Sequence, residues 1–593
     1  MTYSKEAEKQ GWTETTVERL TGGINTQDRT ELLRPEQAIR VENLKILKGS
    51  LIRDTGYTTF AAGGAQDALD SAPQAVVQFY KKNGSSELVC ITQGSVYVYS
   101  TSKDEWHYVK GDASTTINAG HVAGNTNLTV ADSTGFAVGR KVGIELNTGF
   151  QFKTVISAVP DGTHITVAAL PSAVSIGNAV VQAPNLSGSD DYAVSLQILP
   201  SNDWLAFTNG VNVPYRYDGS DCIPIPGLPS GGNVICRYMA LYNSALFLIN
   251  TVEGGTSYPQ RVRRSEIGDP TTWTGGTAGY DDLLDTADYL VAAENLGPYL
   301  IVYKERTIYR GQFLNTGGIY YSFDAVVKGE GLAAYQGIVD MGDYHIFIGN
   351  SNVYEYRGDF SIEPIGDNIF YNLFSFDADI NTAVKVRNFA FFVEELNEVW
   401  FFIASSGSDY PNLLYRYYIT EEAWVVRKFA HTFVGYGFYQ TQSDFTWNDL
   451  VGSWLDQTWK WNSRVVTDQS PTTLLCSPDT DMVYEYDYLT IDDAGATAIP
   501  SVLETRDFVT PDGEFRTDCL EVQMRGASVI VEYSIDEGDN WLAWATVSST
   551  QFTKQKMFKQ VVTDSIRFRF TCSDSLFSIK WMNLVWRPES ERA

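Results

Sequence analysis

VYEYRGDF, residues 353–360, is one copy of a phrase that the chain rewrites along most of its length: VYVYS from 96, VPYRYDG from 213, TIYRGQF from 307, LLYRYY from 413 and MVYEYD from 482. Around the copies stand an apolar run, a turn of Gly, Asn or Asp, a Tyr-rich strand and often a Trp, as in SELVCITQGSVYVYSTSKDEWHYV, residues 86–109. Alternation beside a tight turn is the mark of a β-hairpin, because successive strand side chains face opposite sides. Tyr309 and Tyr354 are about 45 residues apart, the length of one four-stranded propeller blade. Such a sheet cannot bury both faces alone, so the copies must cover one another, and their tyrosines are expected to lie against the adjoining sheet. The expected fold class is all-β: a β-propeller of six or seven blades over 72–111 and 187–497.

Two stretches break the pattern. Residues 112–186 carry no Trp or Tyr, and NLTVAD, KVGIEL, FKTVISAV and HITVAAL read as short strands between Gly, Asp and Pro turns. Removing them brings Tyr97 and Tyr215 to about one blade repeat apart, so an inserted small β-barrel or sandwich is expected. From 498 to 593, segments such as ASVIVEYSID, SIRFRFTC and FSIKWMNLVW have the strand spacing of a separate C-terminal β-sandwich. Residues 1–71 read as an extended N-terminal arm, with LLRPEQAIRVENL as a short helix.

Composition fits a large β protein: 593 residues, 44% hydrophobic and 13% aromatic, with 34 Tyr and 30 Phe. The formal net charge of −28, from 44 Lys plus Arg against 72 Asp plus Glu, argues against gripping nucleic acid by counterion release. The six cysteines, Cys90, Cys222, Cys236, Cys476, Cys519 and Cys572, are too scattered for a disulfide framework or metal knuckle and are expected as buried free thiols. The opening MTYSKEAEKQG lacks the apolar core of a signal peptide, and no apolar run reaches membrane-spanning length; a soluble protein made in a cytoplasm is expected.

Compact enzyme motifs are missing: there is no HExxH, GxSxG or GxxxxGK[ST]. His107, His121, His164, His345 and His431 each sit in strand-like context without a partner at metal-ligand spacing. Asp281, Asp282, Asp285 and Asp288, in YDDLLDTADYL, lack the glycine and spacing of an EF-hand loop and read first as a solvated loop, with a calcium site as the other reading. SIDEGDNW, residues 534–541, matches the S-x-D-x-G-x-x-W turn called the Asp-box, which resembles the repeated hairpin of sialidase propellers. It occurs once, outside the expected propeller, and is read as a turn stabiliser: Asp536 accepting turn amides, Gly538 at positive φ, Trp541 anchoring the next strand on the core. No catalytic, cofactor-binding or metal residue is assigned, and no enzymatic activity or cofactor is expected.

Taken together, the chain resembles the tail hub or nozzle proteins of short-tailed bacteriophages, including the packaged-DNA stabilisation group. The resemblance is carried by GGINTQDRTELLRPEQAIRVENLKILKGSLIRDTGYTTF near the N-terminus, by VPYRYDG and RSEIGDPTTW, and by VEYSIDEGDNW, IRFRF and SIKWMNLVWRP near the end. The insert looks like a β module of phage tail proteins. The resemblance implies a structural virion protein of the tail, assembled in the host cytoplasm. It further implies a homo-hexameric ring below the head-to-tail adaptor, contacts with fibre or spike and tail-tip proteins, and DNA passing without sequence-specific binding during ejection and viral genome delivery. An acidic lumen would then repel phosphate and keep DNA from sticking. Arg29, Arg34, Arg40 and Arg53 of the arm are expected to pack on the protein's own propeller or reach a neighbouring subunit. The alternative is a propeller glycosidase, or a glycan-binding tail module, acting on the host surface. The first needs an arginine cluster with an acid–base pair, the second exposed aromatics.

Overall fold

The computed structural model describes residues 13–61, 68–376, 378–440, 471–487, 492–494, 497–510, 513–573 and 577–589. Almost all of its regular structure is strand, so the all-β class holds. The parts of the expected arm and propeller at 1–12, 62–67 and 441–470 lie outside the described residues. The chain forms two compact units, each discontinuous in sequence: 59–336 with 432–486, and 1–58 with 337–431 and 487–593.

Outside residues 112–186, the first of these units is built mainly from antiparallel sheets in which each strand pairs with the next in the chain. Four-stranded sheets cover 73–108, 195–224, 234–282 and 290–328, and strands Gly435–Tyr439, Thr472–Ser477 and Met482–Tyr486 add three more in the same pattern. Sequential sheets share cores. Phe79, Val89 and Ile91 of the first pack with Leu205, Phe207 and Tyr217 of the second, while Leu199 and Ala206 of the second pack with Met239, Leu246 and Leu248 of the third. Of the tyrosines of the repeated phrase, Tyr97 and Tyr309 are fully buried, Tyr97 stacked on Tyr108 of its own sheet, while Tyr99, Tyr215 and Tyr354 are half-buried. The 112–186 segment forms two small sheets around its own core of Ile117, Leu128, Val142, Ile144, Ile165 and Val180.

The last strand group of this unit returns to its first sheet. Strand Gly435–Tyr439 lies so close to strand Pro73–Tyr80 that a Cβ at Gly435 would stand 1.9 Å from the Gln74 carbonyl oxygen. The Gln78 amide clamps the seam, donating to the Gln440 carbonyl at 2.9 Å and accepting from the Gln440 N–H at 2.7 Å.

The other unit holds a four-stranded sheet over 338–364 and a large sheet. In that large sheet the four strands of 389–428 run through Ala38–Glu42 into Ser501–Thr505 and the C-terminal strands. The C-terminal strands thus do not stand apart as a separate sandwich within this unit; they are sewn to the 389–428 sheet by the N-terminal segment. The expected helix at LLRPEQAIRVENL is a turn followed by strand Ala38–Glu42. Backbone pairing with Ser501–Thr505 on one side, and with Val426 on the other, outweighs local helix propensity. Phe515–Ser534 and Leu542–Phe558 form a long hairpin, interrupted by register shifts near Gly526.

Candidate functional site

The acidic loop is organised around a lysine. Lys304 closes the apolar strand Tyr299–Lys304, and its side chain is fully buried. Its Nζ donates to the Leu283 carbonyl at 2.7 Å, the Thr286 carbonyl at 3.1 Å and Thr286 Oγ1 at 2.9 Å, with Asp288 Oδ1 at 3.7 Å. These are the oxygen ligands a bound cation would take, and the ammonium occupies their centre. Of the four aspartates, Asp288 faces Lys304, while Asp281 and Asp282 pair instead with Arg264 and Arg261. The calcium reading is thereby replaced by an internal cation. The sequence offers Lys304 only as the end of YLIVYK, where a solvated charge is the ordinary expectation. Its apolar strand and the acidic loop just before it were the available signal.

The 534–541 turn is closed on itself. Ser534 Oγ donates to Asp536 Oδ1 at 2.6 Å, the Asn540 N–H to the same oxygen at 2.9 Å, and the Asn540 amide to Asp536 Oδ2 at 2.6 Å. The Ser534 hydroxyl and these Asn540 donors hold the carboxyl down at about 2. Gly538 has φ +100°, as the turn requires. Trp541 departs from expectation: half-buried, it lies under the Arg569 guanidinium at 4.1 Å.

Each histidine has a local role or a buried seat. His107 meets Glu105 at 2.6 Å, His164 meets Asp161 at 2.8 Å, and His431 Nδ1 meets the Tyr57 hydroxyl at 2.7 Å. His121 Nε2 accepts the Thr129 N–H at 2.9 Å, and burial lowers its pKa. His345 is fully buried. All six cysteines are buried and free. Among the described residues, no group of three or more His, Cys, Asp or Glu could hold a metal ion, and no helix is long and apolar enough to cross a membrane.

Cations are extensively paired inside. In one unit Arg416 and Arg427, 1% and 0% exposed, hold Asp54 at 2.8 and 3.5 Å, and Arg427 also holds Asp493 at 2.5 Å. Arg567 makes a two-pronged pair with Asp507, both bonds 2.8 Å. Of the arm arginines, Arg53 is buried and donates to the Ser573 carbonyl at 2.6 Å, Arg40 pairs with Glu42 and Glu504, and Arg29 and Arg34 are exposed. In the other unit Glu253 binds Arg263 at 2.5 Å and Arg261 at 3.4 Å. Lys141 of the insert pairs with Asp70. Burial alone would raise the Asp70 pKa, but Lys141, Ser95 and Ser71 hold it below the ordinary value. Because such pairs cancel, the net −28 falls on the remaining groups. One cleft of about 890 Å³ shows the outcome: Glu18, Asp28, Glu36, Glu421 and Glu422 line it with only Arg19 and Arg34 against them.

No family model matches the chain, and no curated protein matches it. Among solved structures, the extracellular domain of a hybrid two-component system from B. thetaiotaomicron aligns at TM-score 0.26 and 9% identity, over 65% of this chain and 41% of that one. Raptor from Chaetomium thermophilum aligns at 0.25 and 8%, over 60% and 28%. An exo-β-1,3-galactanase from Phanerochaete chrysosporium aligns at 0.21 and 8%, over 82% and 98%. The chain thus spans less than half the length of the first two. At these scores the likeness extends to neither topology nor activity.

Proposed function

We propose that the chain is a structural bacteriophage protein, a tail nozzle or hub without enzymatic activity. In this reading its small sheets are blades of a β-propeller, and six copies ring a DNA passage below the head-to-tail adaptor. The observation that carries the reading is electrostatic: interior cations are matched by carboxylates, so a net charge of −28 is left on the remaining groups. A passage lined by such a surface lets a polyanion slide instead of adhering. The N- and C-terminal likeness to tail hub proteins supports the same assignment. The blade arrangement is supported by sheets that pair strand to next strand, and by the seam between Gly435–Tyr439 and Pro73–Tyr80.

Electron microscopy of the purified protein tests the ring, with a six-fold particle and a central hole expected. A gel-shift series with duplex DNA tests the lumen, with no retention expected even at low salt. A monomer, tight DNA binding at low salt, or turnover of bacterial glycans would each replace this reading.

A further inference from the structure

Two hairpin turns and the stem of a third hairpin border an open cleft of about 580 Å³ in the 59–336 portion of the chain. The size lies within the range of roughly 300–1,000 Å³ usual for small-molecule sites. Its walls carry three aromatic rings, Tyr242, Tyr299 and Phe313, and three carboxamides, Asn243, Asn295 and Gln312; no ionisable acid or base other than tyrosine lines it. For so acidic a protein, a cleft free of carboxylates is a distinct chemical environment.

The cleft is built rather than incidental. Tyr242 and Ala245 bracket a two-residue turn in which Asn243 and Ser244 have φ of 49° and 60°, the left-handed pair of a type I′ hairpin turn, and this places Asn243 at its tip. The Tyr242 hydroxyl ties the walls together, donating to the Pro298 carbonyl at 2.7 Å and accepting the Phe313 N–H at 3.2 Å. Asn295 is oriented by donating to the Leu241 carbonyl at 2.9 Å. Phe313 is held against Tyr321 with ring centroids 5.2 Å apart, and the Arg310 guanidinium lies 5.0 Å from the Tyr299 ring centre. With the frame tied in this way, the Tyr299 hydroxyl and the Gln312 carboxamide have no hydrogen-bond partner among the described residues.

The ligand class follows by elimination on chemistry. No charged side chain lines the cleft, and Arg310, the cation beside the Tyr299 ring, is already engaged, so a charged ligand would lose hydration without a dedicated counter-charge. A purely apolar one would bury carboxamides without partners. A ligand with C–H faces to lie on Tyr and Phe rings and hydroxyls to exchange hydrogen bonds with planar amides meets both requirements. We infer that this cleft binds a neutral saccharide, with Tyr299 and Phe313 as the platform and Gln312 and Asn243 reading hydroxyl groups. The inference concerns a single chain and stands apart from the ring proposal, since it needs neither oligomer nor DNA.

The test uses the full chain and four neutral probes, maltohexaose, mannohexaose, a β-galactooligosaccharide and chitohexaose, with dextran sulfate as the charged control. Saturation-transfer NMR and calorimetric titration supply the readout. Saturable binding of at least one neutral probe is expected, weakened about tenfold by Tyr299→Ala and several-fold by Gln312→Leu. Tyr299→Phe keeps the ring and should lose less than Tyr299→Ala. Should Tyr299→Ala fail to fold, Gln312→Leu, judged by an unchanged melting temperature, carries the test alone. No saturable binding of any neutral probe up to 10 mM, roughly the weak end of measurable affinity, overturns the inference. So does binding that neither Tyr299→Ala nor Gln312→Leu changes, or binding of dextran sulfate alone. A monomeric particle in the microscope leaves these outcomes unaffected, so the two proposals fail separately.

Discussion

The α-carbon of Gly437 sits against the carbonyl of Val76, so close that a Cβ built there would stand 2.2 Å from the Val76 oxygen and 2.7 Å from the Val76 Cβ. The backbone of Gly437 is not left-handed, so conformation would admit alanine, and only space forbids it. Overpacking of a tight seam costs about 1–3 kcal/mol, more when the obstacle is backbone. Gly437→Ala should therefore lower the unfolding free energy obtained from urea titration by an amount in that range or above, and Gly437→Val should give mostly insoluble protein.

Lys304→Met removes the ammonium that satisfies the Leu283 and Thr286 oxygens and faces Asp288. Leaving buried acceptors and a carboxylate uncompensated costs about 3–5 kcal/mol. Equilibrium unfolding should register a loss of that size, whereas a matched change at an exposed lysine should register almost none.

Removing the insert, with Gly111 joined to Ala183 through a short Gly-Ser link, should leave the rest folded. The insert has its own core, and its chain enters and leaves side by side, with the Gly111 N–H bonded to the Gln182 carbonyl at 2.8 Å. Asp70 would lose Lys141, a cost of about 1–2 kcal/mol for a partly exposed charge-assisted bond. Circular dichroism should keep its β signature while the denaturation midpoint falls modestly.

Acid should loosen the same seat. Asp70 has a folded pKa below its ordinary 3.8, so its contribution is complete above that value and lost as the pH falls through the folded value. Glu253 and Glu521 are also shifted down, each against burial and by paired cations, and add the same sign; Glu398 and Asp493, raised by burial, oppose it. Urea midpoints measured from pH 6 to pH 3 should fall below about pH 4. The slope should be shallower in Lys141→Met, where Asp70 no longer has its cation.

None of the six cysteines should label in the native state. Burial pushes the Cys236 thiol up to about 12 and Cys519 to about 11, so neither forms appreciable thiolate at pH 8. Intact-mass measurement after maleimide treatment should show no adduct before denaturation and six after it.

The amino-acid order alone determined the β class, the hairpins, the burial of Tyr97 and Tyr309, and the self-closing 534–541 turn. These depend on residues within a few positions of one another, where strand alternation and turn chemistry leave a readable period. Tertiary structure alone decided that Ala38–Glu42 is a strand, because its partner lies more than 450 residues further on at Ser501–Thr505. It likewise decided that Lys304 fills the acidic loop, that Asp281 and Asp282 go to Arg264 and Arg261, and that Gln312 and Tyr299 share one cleft. Pairings across folded sheets have no period along the chain. With 72 acids and 44 bases, many pairings satisfy charge equally well until packing selects one.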